Sequence, residues 1–233
     1  TVVAVVTFSD AMTGDINKKL EKYGANILIV PKTESLSLHY GGVSLGGVNF
    51  KVEEIEEENL SRIDGIKNSK NLAAVGPIVL GATRAAGEKV LLAGVDFEAS
   101  RVLKPWWRVD GGFPSDNELI IGSAASKLLG LSKGDVVVLE GREFSVSGVL
   151  KETGSQDDHL FFATWSTSQE VLKKTGKVSM VEVAALCHGC PVDEMVKQIS
   201  EVIPGAKVMA IQQVVKSRME TLSQFKGFSM GVS

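Results

Sequence analysis

One segment of the chain is most informative about the fold: DNELIIGSAASKLLGLSKGD at residues 116–135, followed further on by Gly148-Val149-Leu150. The apolar run that ends at Ile121 predicts a short β-strand. Small and apolar residues from Ser123 to Leu129 predict a helix, and Gly130 stands where a left-handed residue commonly ends one. A strand followed at once by a short helix is typical of a fold that mixes α and β structure.

The residues around this segment predict two β-hairpins. Val79 to Arg84 and Lys89 to Val95 flank one Gly-containing turn, and Val136 to Glu140 and Glu143 to Leu150 flank another. Because one short helix is the only helical pattern between these strands, residues 79–163 are predicted to form a β-rich inserted subdomain.

The regions on either side of this insert have a different pattern, with longer helices and continuous apolar strands. The same succession occurs twice: a predicted helix is followed by Gly-Ala and then by an apolar strand, once at Gly24-Ala25 and again at Gly205-Ala206. We interpret this as a weak internal repeat of a βαβ-type half, as in ferredoxin-like folds. The predicted elements are a helix at 12–23, a strand at 25–30, an exposed loop at 33–47, a strand at 47–52, a helix at 53–66 and a strand at 73–80, then a strand at 178–186, a helix at 192–203, a strand at 207–211 and a helical stripe from 215 to 225.

Composition narrows the class of protein. The 233 residues can bury a substantial core, and 44% hydrophobic with 23% charged residues is typical of a folded protein. A net charge of −3 argues against nucleic acid or anionic lipid as the main ligand. No stretch approaches the roughly 18 consecutive apolar residues that a membrane helix needs.

Fold-shaping glycines and apolar residues along nearly the whole chain resemble the extracytoplasmic domain of MacB/FtsX-type ABC transporter permeases. The stretches that carry this resemblance are Gly24 to Pro31, Val75-Gly76-Pro77, Ala93 to Asp96, Gly111-Gly112-Phe113, Asp116 to Gly122, Phe144 to Leu150 and Asp158 to Phe162. The resemblance implies an α+β fold in which a porter-like part, made of two βαβ-type halves, carries a β-rich inserted subdomain. The expected division is 1–78 for the first half with a stalk helix, 79–163 for the insert, and 164–233 for the second half with a stalk helix.

The resemblance also implies a function. The domain would be non-catalytic, would lie on the periplasmic side of the cell inner membrane, and would couple ATP-driven motion of transmembrane helices to export, extraction or release of a substrate, or to an envelope partner. The implied partners are a cognate ABC ATPase, a second permease copy or homologue, and a periplasmic protein or lipoprotein substrate, with no nucleic acid and no cofactor. The alternative is a free-standing extracytoplasmic ligand-binding protein.

The two ends of the chain bear on that choice. The sequence begins with Thr1 and ends with Ser233, and both ends are apolar in part. We expect them to be cut edges of a longer protein with membrane spans on either side, and the alternative is a mature secreted protein after signal cleavage. In a permease, the two ends of the domain must lie side by side.

The two cysteines of the chain lie close together in Cys187-His188-Gly189-Cys190-Pro191. Haem attachment would need His after the second Cys, and a structural zinc site would need further ligands that a second cysteine pair would supply. A short disulfide between Cys187 and Cys190 is favoured for a domain outside the cytoplasm. Free thiols and metal or redox chemistry are the alternatives.

Other candidate sites have weaker patterns. The adjacent Trp106 and Trp107 are expected either to anchor a loop in the core or to contact a partner or substrate. Asp157-Asp158-His159 is interpreted as a polar loop in preference to a cation site, and the acidic run from Glu53 to Glu58 as the solvated first turn of a helix.

Catalysis finds little support in the sequence. The three histidines, His39, His159 and His188, are far apart and none has a Ser or Cys nucleophile pattern around it. There is no GxxxxGK[ST] motif, so the chain carries no P-loop of its own. The sequence therefore predicts no catalytic, cofactor-binding or metal-binding residue.

Overall fold

A computed structural model describes residues 25–32, 36–40, 43–48, 54–186 and 192–211 of the chain. Fourteen strands are present among them. In chain order they are β1 Ile27–Pro31, β2 Leu36–Tyr40, β3 Val43–Val48, β4 Ile55–Glu56, β5 Leu72–Ala85, β6 Glu88–Val95, β7 Val109–Gly111, β8 Glu118–Ile121, β9 Val136–Leu139, β10 Arg142–Leu150, β11 Leu160–Thr164, β12 Lys177–Val178, β13 Met180–Ala185 and β14 Ala206–Ala210.

The helices of the described residues are short. The α-helices are α1 Phe97–Leu103, α2 Ser123–Leu129, α3 Trp165–Val171 and α4 Val192–Val202, and three 3₁₀ helices cover Glu57–Gly65, Ser69–Asn71 and Gln156–His159. No helix in this part of the chain is both long and apolar enough to cross a membrane.

Ten strands form one mixed sheet in the order β14-β1-β13-β5-β6-β11-β8-β10-β7, with β9 also paired to β10. Each of the first four strands is antiparallel to its neighbours among them. Since they occur in the chain as β1, β5, β13 and β14, their order is 4-1-3-2, which is the split βαβ arrangement of ferredoxin-like folds. The predicted α+β class and the ferredoxin-like halves are confirmed.

The long strand β5 connects this sheet to the β-rich middle of the chain. Its fourteen residues pair with β13 at one end and with β6 along the rest. Ala86 and Gly87 make the turn to β6 with φ of +50° and +86°, and Glu140 and Gly141 make the β9–β10 turn with φ of +48° and +81°. Positive φ at both central residues matches the twist of tight hairpins, so both predicted hairpins form.

The ferredoxin-like sheet is covered on both faces, because successive side chains along its strands point to opposite faces and both sets are apolar. Val181 and Val183 of β13 pack with Met195 and Ile199 of α4 in one buried cluster. Ala184, which points to the other face, packs with Leu103 of α1 in a separate cluster. The helix α1 therefore follows a strand of the β-rich middle region but packs on the ferredoxin-like sheet.

Two expectations for the region before β5 are wrong. The interval predicted as an exposed loop contains the hairpin β2–β3, in which Leu36 pairs with Val48 and Tyr40 with Val43. Alternation of apolar residues there has the period of strands, which the Ser- and Gly-rich composition hid. The helix predicted at 53–66 is a 3₁₀ helix at Glu57–Gly65, because Ile55 and Glu56 pair with β12 instead.

Candidate functional site

Asn26 connects the beginning of the ferredoxin-like sheet to its end. Its backbone N–H donates to the Val183 carbonyl at 2.9 Å, and its carbonyl accepts from the Ile211 N–H at 2.9 Å. Its side-chain Nδ2 donates to the Ala185 carbonyl at 2.7 Å, while its Oδ1 accepts from the Ala185 N–H at 2.9 Å. We call Ala25, Asn26, Ala185 and Ile211 the junction.

The junction brings together the first and the last described residues of the sheet. Because β1 and β14 are antiparallel neighbours, with Ile27 opposite Ala210, the start of β1 and the end of β14 lie at the same end of the sheet. The geometry that a permease domain requires, with the incoming and outgoing chain side by side, is present at Asn26 and Ile211. The stalk helices predicted before Gly24 and after Gln212 lie outside the described residues.

Helix α1 lies directly against the junction. Leu103 packs in the small cluster that contains Ala25 and Ala184, with Ala99 and Ile211 at its border. The approach is close because β5 has Gly76 beneath the helix: a Cβ at this position would lie 2.3 Å from Leu103 Cδ1. A larger residue at position 76 would therefore force the Leu103 side chain, or α1 with it, to shift.

A largely but not fully buried ion pair fixes the end of α1. Lys104 Nζ lies 3.0 Å from both carboxylate oxygens of Glu182 on β13, and the two side chains are 10% and 19% exposed. The same ammonium group is 5.6 Å from the Trp107 ring centroid. We call this pair, together with the contact between Leu103 and Gly76, the α1 clamp.

A second set of contacts joins the segment before β5 to the segment around α3. Lys174 pairs with Glu54 and also donates to the Leu80 carbonyl at 2.8 Å, and Lys177 pairs with Glu56. Gln169 Nε2 donates to Glu57 Oε2 at 2.7 Å. We call these contacts the acidic clamp. The interpretation of this acidic run as a solvated helical turn holds for Glu58, which is exposed in the first turn of the 3₁₀ helix. It misses the partners that Glu54, Glu56 and Glu57 have on another segment.

A cavity of about 460 Å³ lies between the beginnings of α1 and α3. It is at the carboxyl ends of the parallel strands β6 and β11, where Val95 is opposite Thr164. Asp96 caps α1 by accepting from the N–H groups of Glu98 and Ala99 at 2.9 and 3.1 Å. The cavity therefore has helix-capping groups at its base.

The two predicted tryptophans have different surroundings. Trp107 is 7% exposed, stacks edge to face on Phe162 with ring centroids 4.7 Å apart, and donates from Nε1 to Asp157 Oδ2 at 2.8 Å. Trp107 thus anchors its loop in the core, which is the first of the two alternatives expected for the tryptophans. Trp106 is partly buried at the border of the same cluster, and its contact with a partner or substrate stays a prediction.

Asp158 is a buried carboxylate with a structural role. Burial alone would raise its pKa, but hydrogen bonds from the Thr153 N–H and hydroxyl, the Gly154 N–H and the Ser123 hydroxyl together lower the pKa below the usual range. These contacts hold the loop before β11 against the start of α2. His159 beside it is exposed, so the structure supports the polar-loop interpretation.

The remaining site expectations concern metal ions and cysteines. Within the described ranges, no group of three or more His, Cys, Asp or Glu side chains is arranged to hold a metal ion. Cys187 and Cys190 lie outside the described residues, so their pairing stays a prediction.

Sequence reasoning missed the role of Asn26, although a signal was present. Asn26 is a polar side chain in the predicted apolar run at 25–30, directly before β1, and a half-buried amide in such a position needs hydrogen-bond partners. Nothing in the sequence identifies those partners, because Ala185 is 159 residues away.

Comparisons with known proteins agree with this architecture. A family model described as the MacB-like periplasmic core domain matches residues 1–202. The extracellular domain of the noncanonic ABC-type transporter YknZ from Gram-positive bacteria is similar in structure, with a TM-score of 0.56 and 18% identity over 79% of this chain and 98% of that one. The periplasmic region of MacB from Actinobacillus actinomycetemcomitans has a TM-score of 0.60 and 12% identity over 84% of this chain and 94% of that one.

At such identities the two structures show a shared fold and nothing further. No curated protein matches the chain. The family match covers most of the sequence, so the chain belongs to the MacB-like periplasmic core domain family. It is an extracytoplasmic domain of a MacB-like ABC transporter permease, as the resemblance implied.

Proposed function

We propose that this domain relays ATP-driven motion from transmembrane helices to a substrate or partner outside the cytoplasm. One observation carries the proposal: the hydrogen bond from the Ile211 N–H to the Asn26 carbonyl, 2.9 Å long, which joins the two chain passages at one end of the sheet. Two stalks that leave from adjacent hydrogen-bonded strands move the domain as one body. Stalks at opposite ends would shear it instead.

The α1 clamp gives this motion a route into the rest of the domain. Leu103 contacts the cluster around Ala25, and the other end of α1 follows directly from β6. A displacement of the junction is therefore passed to the β-rich middle region through a packed helix as well as through β5. This supports the division into a porter-like part at 1–78 and 164–233 and an insert at 79–163, which is part of the proposal.

The remaining parts of the proposal follow from the family. The domain lies on the periplasmic side of the cell inner membrane and works with a cognate ABC ATPase and a second permease copy or homologue. It acts by export, extraction or release of a substrate, for which a periplasmic protein or lipoprotein is a candidate, or by signalling to an envelope partner. The domain itself is non-catalytic, and the chemistry of ATP hydrolysis belongs to the ATPase.

The cysteine proposal is separate from the transport proposal. Cys187 and Cys190 form a disulfide in the oxidising compartment, which closes a very short loop. Thiol titration of unfolded, unreduced protein taken from the periplasm is expected to detect no free thiol. Two free thiols per chain, or stoichiometric bound zinc, would contradict the disulfide.

The relay is tested by fluorescence in the complete transporter with its ATPase, reconstituted in lipid nanodiscs. Leu128 on α2 is 82% exposed, so a fluorescent donor is attached there through Leu128→Cys, in a variant that also carries Cys187→Ser and Cys190→Ser. Fluorescent acceptors are attached to lipid headgroups. Because α2 lies far along the sheet from the junction, trapping with ATP and vanadate is expected to change the transfer efficiency.

A matched variant separates relay from folding. Asn26→Ala removes both side-chain hydrogen bonds of the junction, so the ATP-dependent change at Leu128 is expected to shrink while the ATPase remains active. The melting temperature checks that the variant is folded. An efficiency that is the same with and without nucleotide, both at Leu128 and at a second label on the 60% exposed Val136, would refute the relay.

A further inference from the structure

The cavity between α1 and α3 has a floor and walls that are mainly apolar. The apolar residues that line it are Val95, Phe97, Pro114 and Trp165, and Phe97 and Trp165 are the first residues of the two helices. Trp165 Nε1 is buried and has no hydrogen-bond partner among the described residues. At about 460 Å³ the cavity can hold one long side chain of a partner, and it is too small for a folded domain.

The charged groups that line this cavity all have the same sign. They are Glu57, Asp96 and Glu98, and neither Lys nor Arg is among the lining residues. Arg101 pairs with the lining residue Glu98 at 3.4 Å between side chains that are 59% and 81% exposed. Such an exposed pair is weak, so Glu98 can exchange this partner at little cost.

An aromatic surface continues from the cavity. Phe97 contacts Phe113 with ring centroids 5.5 Å apart, and Phe113 is 39% exposed. Arg101 lies 5.4 Å from the Phe113 centroid. We call Phe97 and Phe113 the aromatic ledge. The acidic cavity and the aromatic ledge together form an elongated surface rather than a single closed pocket.

We propose that this surface docks an extended segment of a partner protein that presents a basic side chain next to an apolar one. The basic group enters the cavity, where Glu57 and Glu98 supply negative charge and the Trp165 ring supplies a cation–π contact. The apolar neighbour lies on the aromatic ledge. A small organic cation would fill only the cavity and leave the ledge exposed, so the elongated shape favours a peptide.

The position of this surface gives it a connection to the relay. The first residues of α1 line the cavity, while Leu103 at the end of the same helix packs against the junction. A partner segment bound here is therefore one helix away from the junction. The docking site goes beyond the proposed relay and can be tested without ATP or membrane.

The test uses the ¹⁵N-labelled 233-residue chain and a capped dipeptide, acetyl-Phe-Arg-amide, as the probe. The chain has three tryptophans, so the Trp165 indole signal is assigned with a Trp165→Phe variant. The dipeptide is expected to shift this signal in a saturable way, and acetyl-Phe-Gln-amide is expected to bind at least about 5-fold more weakly because it lacks the charge.

Matched charge variants locate the contact. The double variant Glu57→Gln/Glu98→Gln is expected to bind the arginine dipeptide about 5-fold more weakly than wild type and to bind the glutamine dipeptide with unchanged affinity. The control Glu143→Gln/Glu152→Gln makes the same change in net charge at exposed positions away from the cavity, and is expected to have no effect. Melting temperatures confirm that both double variants fold.

Three results would overturn the docking site. The first is equal affinity for the two dipeptides, or no saturable shift of the Trp165 signal at millimolar concentration. The second is an unchanged affinity in Glu57→Gln/Glu98→Gln. The third is tighter binding of benzyltrimethylammonium than of acetyl-Phe-Arg-amide, which would assign the cavity to a small organic cation.

Discussion

The α1 clamp and the acidic clamp join distant parts of the chain by different means. In the α1 clamp, Lys104 and Glu182 are 10% and 19% exposed and lie next to the close contact between Leu103 and Gly76. In the acidic clamp, Lys177 and Glu56 are 38% and 51% exposed, and Lys174 and Glu54 are 25% and 19% exposed. A buried pair strongly penalises the loss of one partner, whereas an exposed pair contributes little. The α1 clamp is therefore expected to hold its geometry more firmly than the exposed Lys177–Glu56 pair does.

The largest effect is expected from breaking the buried pair. Glu182→Leu leaves the Lys104 ammonium without its carboxylate in a largely buried position, and is expected to lower the free energy of unfolding by about 3 kcal/mol. Lys104→Met/Glu182→Leu removes both charges and is expected to recover at least half of that loss. Urea unfolding of the three proteins measures both quantities, and a double variant no more stable than Glu182→Leu would show that charge is not the cause.

Asp158 differs from the carboxylates of both clamps, because it is buried and is bound by neutral hydrogen-bond donors instead of a lysine. Asp158 accepts from the Thr153 N–H at 2.9 Å, from its hydroxyl at 3.0 Å and from the Gly154 N–H at 2.9 Å. Asp158→Asn is expected to cost about 2 kcal/mol at pH 7, because charge-assisted hydrogen bonds are lost and an amide N–H₂ meets donors.

The pH dependence of this effect has a defined sign. The pKa of Asp158 is lower in the folded state than the ordinary value near 3.9, so its stabilising contribution is present above that value and is lost as pH falls through the folded-state pKa. The stability difference between wild type and Asp158→Asn is expected to shrink below about pH 4. Unfolding curves at pH 7 and pH 3 measure it, and a constant difference would contradict the assignment.

The packing half of the α1 clamp is tested with Gly76→Ala. The new methyl group would meet Leu103 Cδ1 at 2.3 Å, and Leu103 is 2% exposed, so it has little room to move. We expect a loss of about 1–2 kcal/mol. Gly65→Ala, where a Cβ meets nothing within 4 Å, is the control and is expected to be neutral or stabilising. Equal stability of the two variants would remove the steric argument.

The smallest effect is expected in the acidic clamp. Glu56→Gln removes the charge that faces Lys177 at the surface and is expected to cost about 0.5 kcal/mol or less, decreasing further in high salt. Melting curves at low and high ionic strength measure this. A loss as large as that of Glu182→Leu would remove the distinction between the two clamps.

Local structure was largely predictable because its signals are local. The helix α2 has the predicted bounds Ser123–Leu129, and Gly130 ends it with φ of +66°. Both hairpins form at the predicted turns. The exceptions are instructive: Ile55 and Glu56 became a strand because they pair with Val178 and Lys177, a contact that no pattern near residue 55 reveals.

The sequence by itself determined most strands of the large sheet and both predicted hairpin turns, since apolar period and glycine position are read from neighbouring residues. Its resemblance to the MacB/FtsX permeases indicated the family. Only the tertiary structure decided the junction, the two clamps and the cavity. Each of these joins residues far apart in the chain, such as Asn26 with Ala185 and Lys104 with Glu182, which are 159 and 78 positions apart. Hydrogen bonds and charges act over a few ångströms of space, so their partners are fixed only when the sheet has formed.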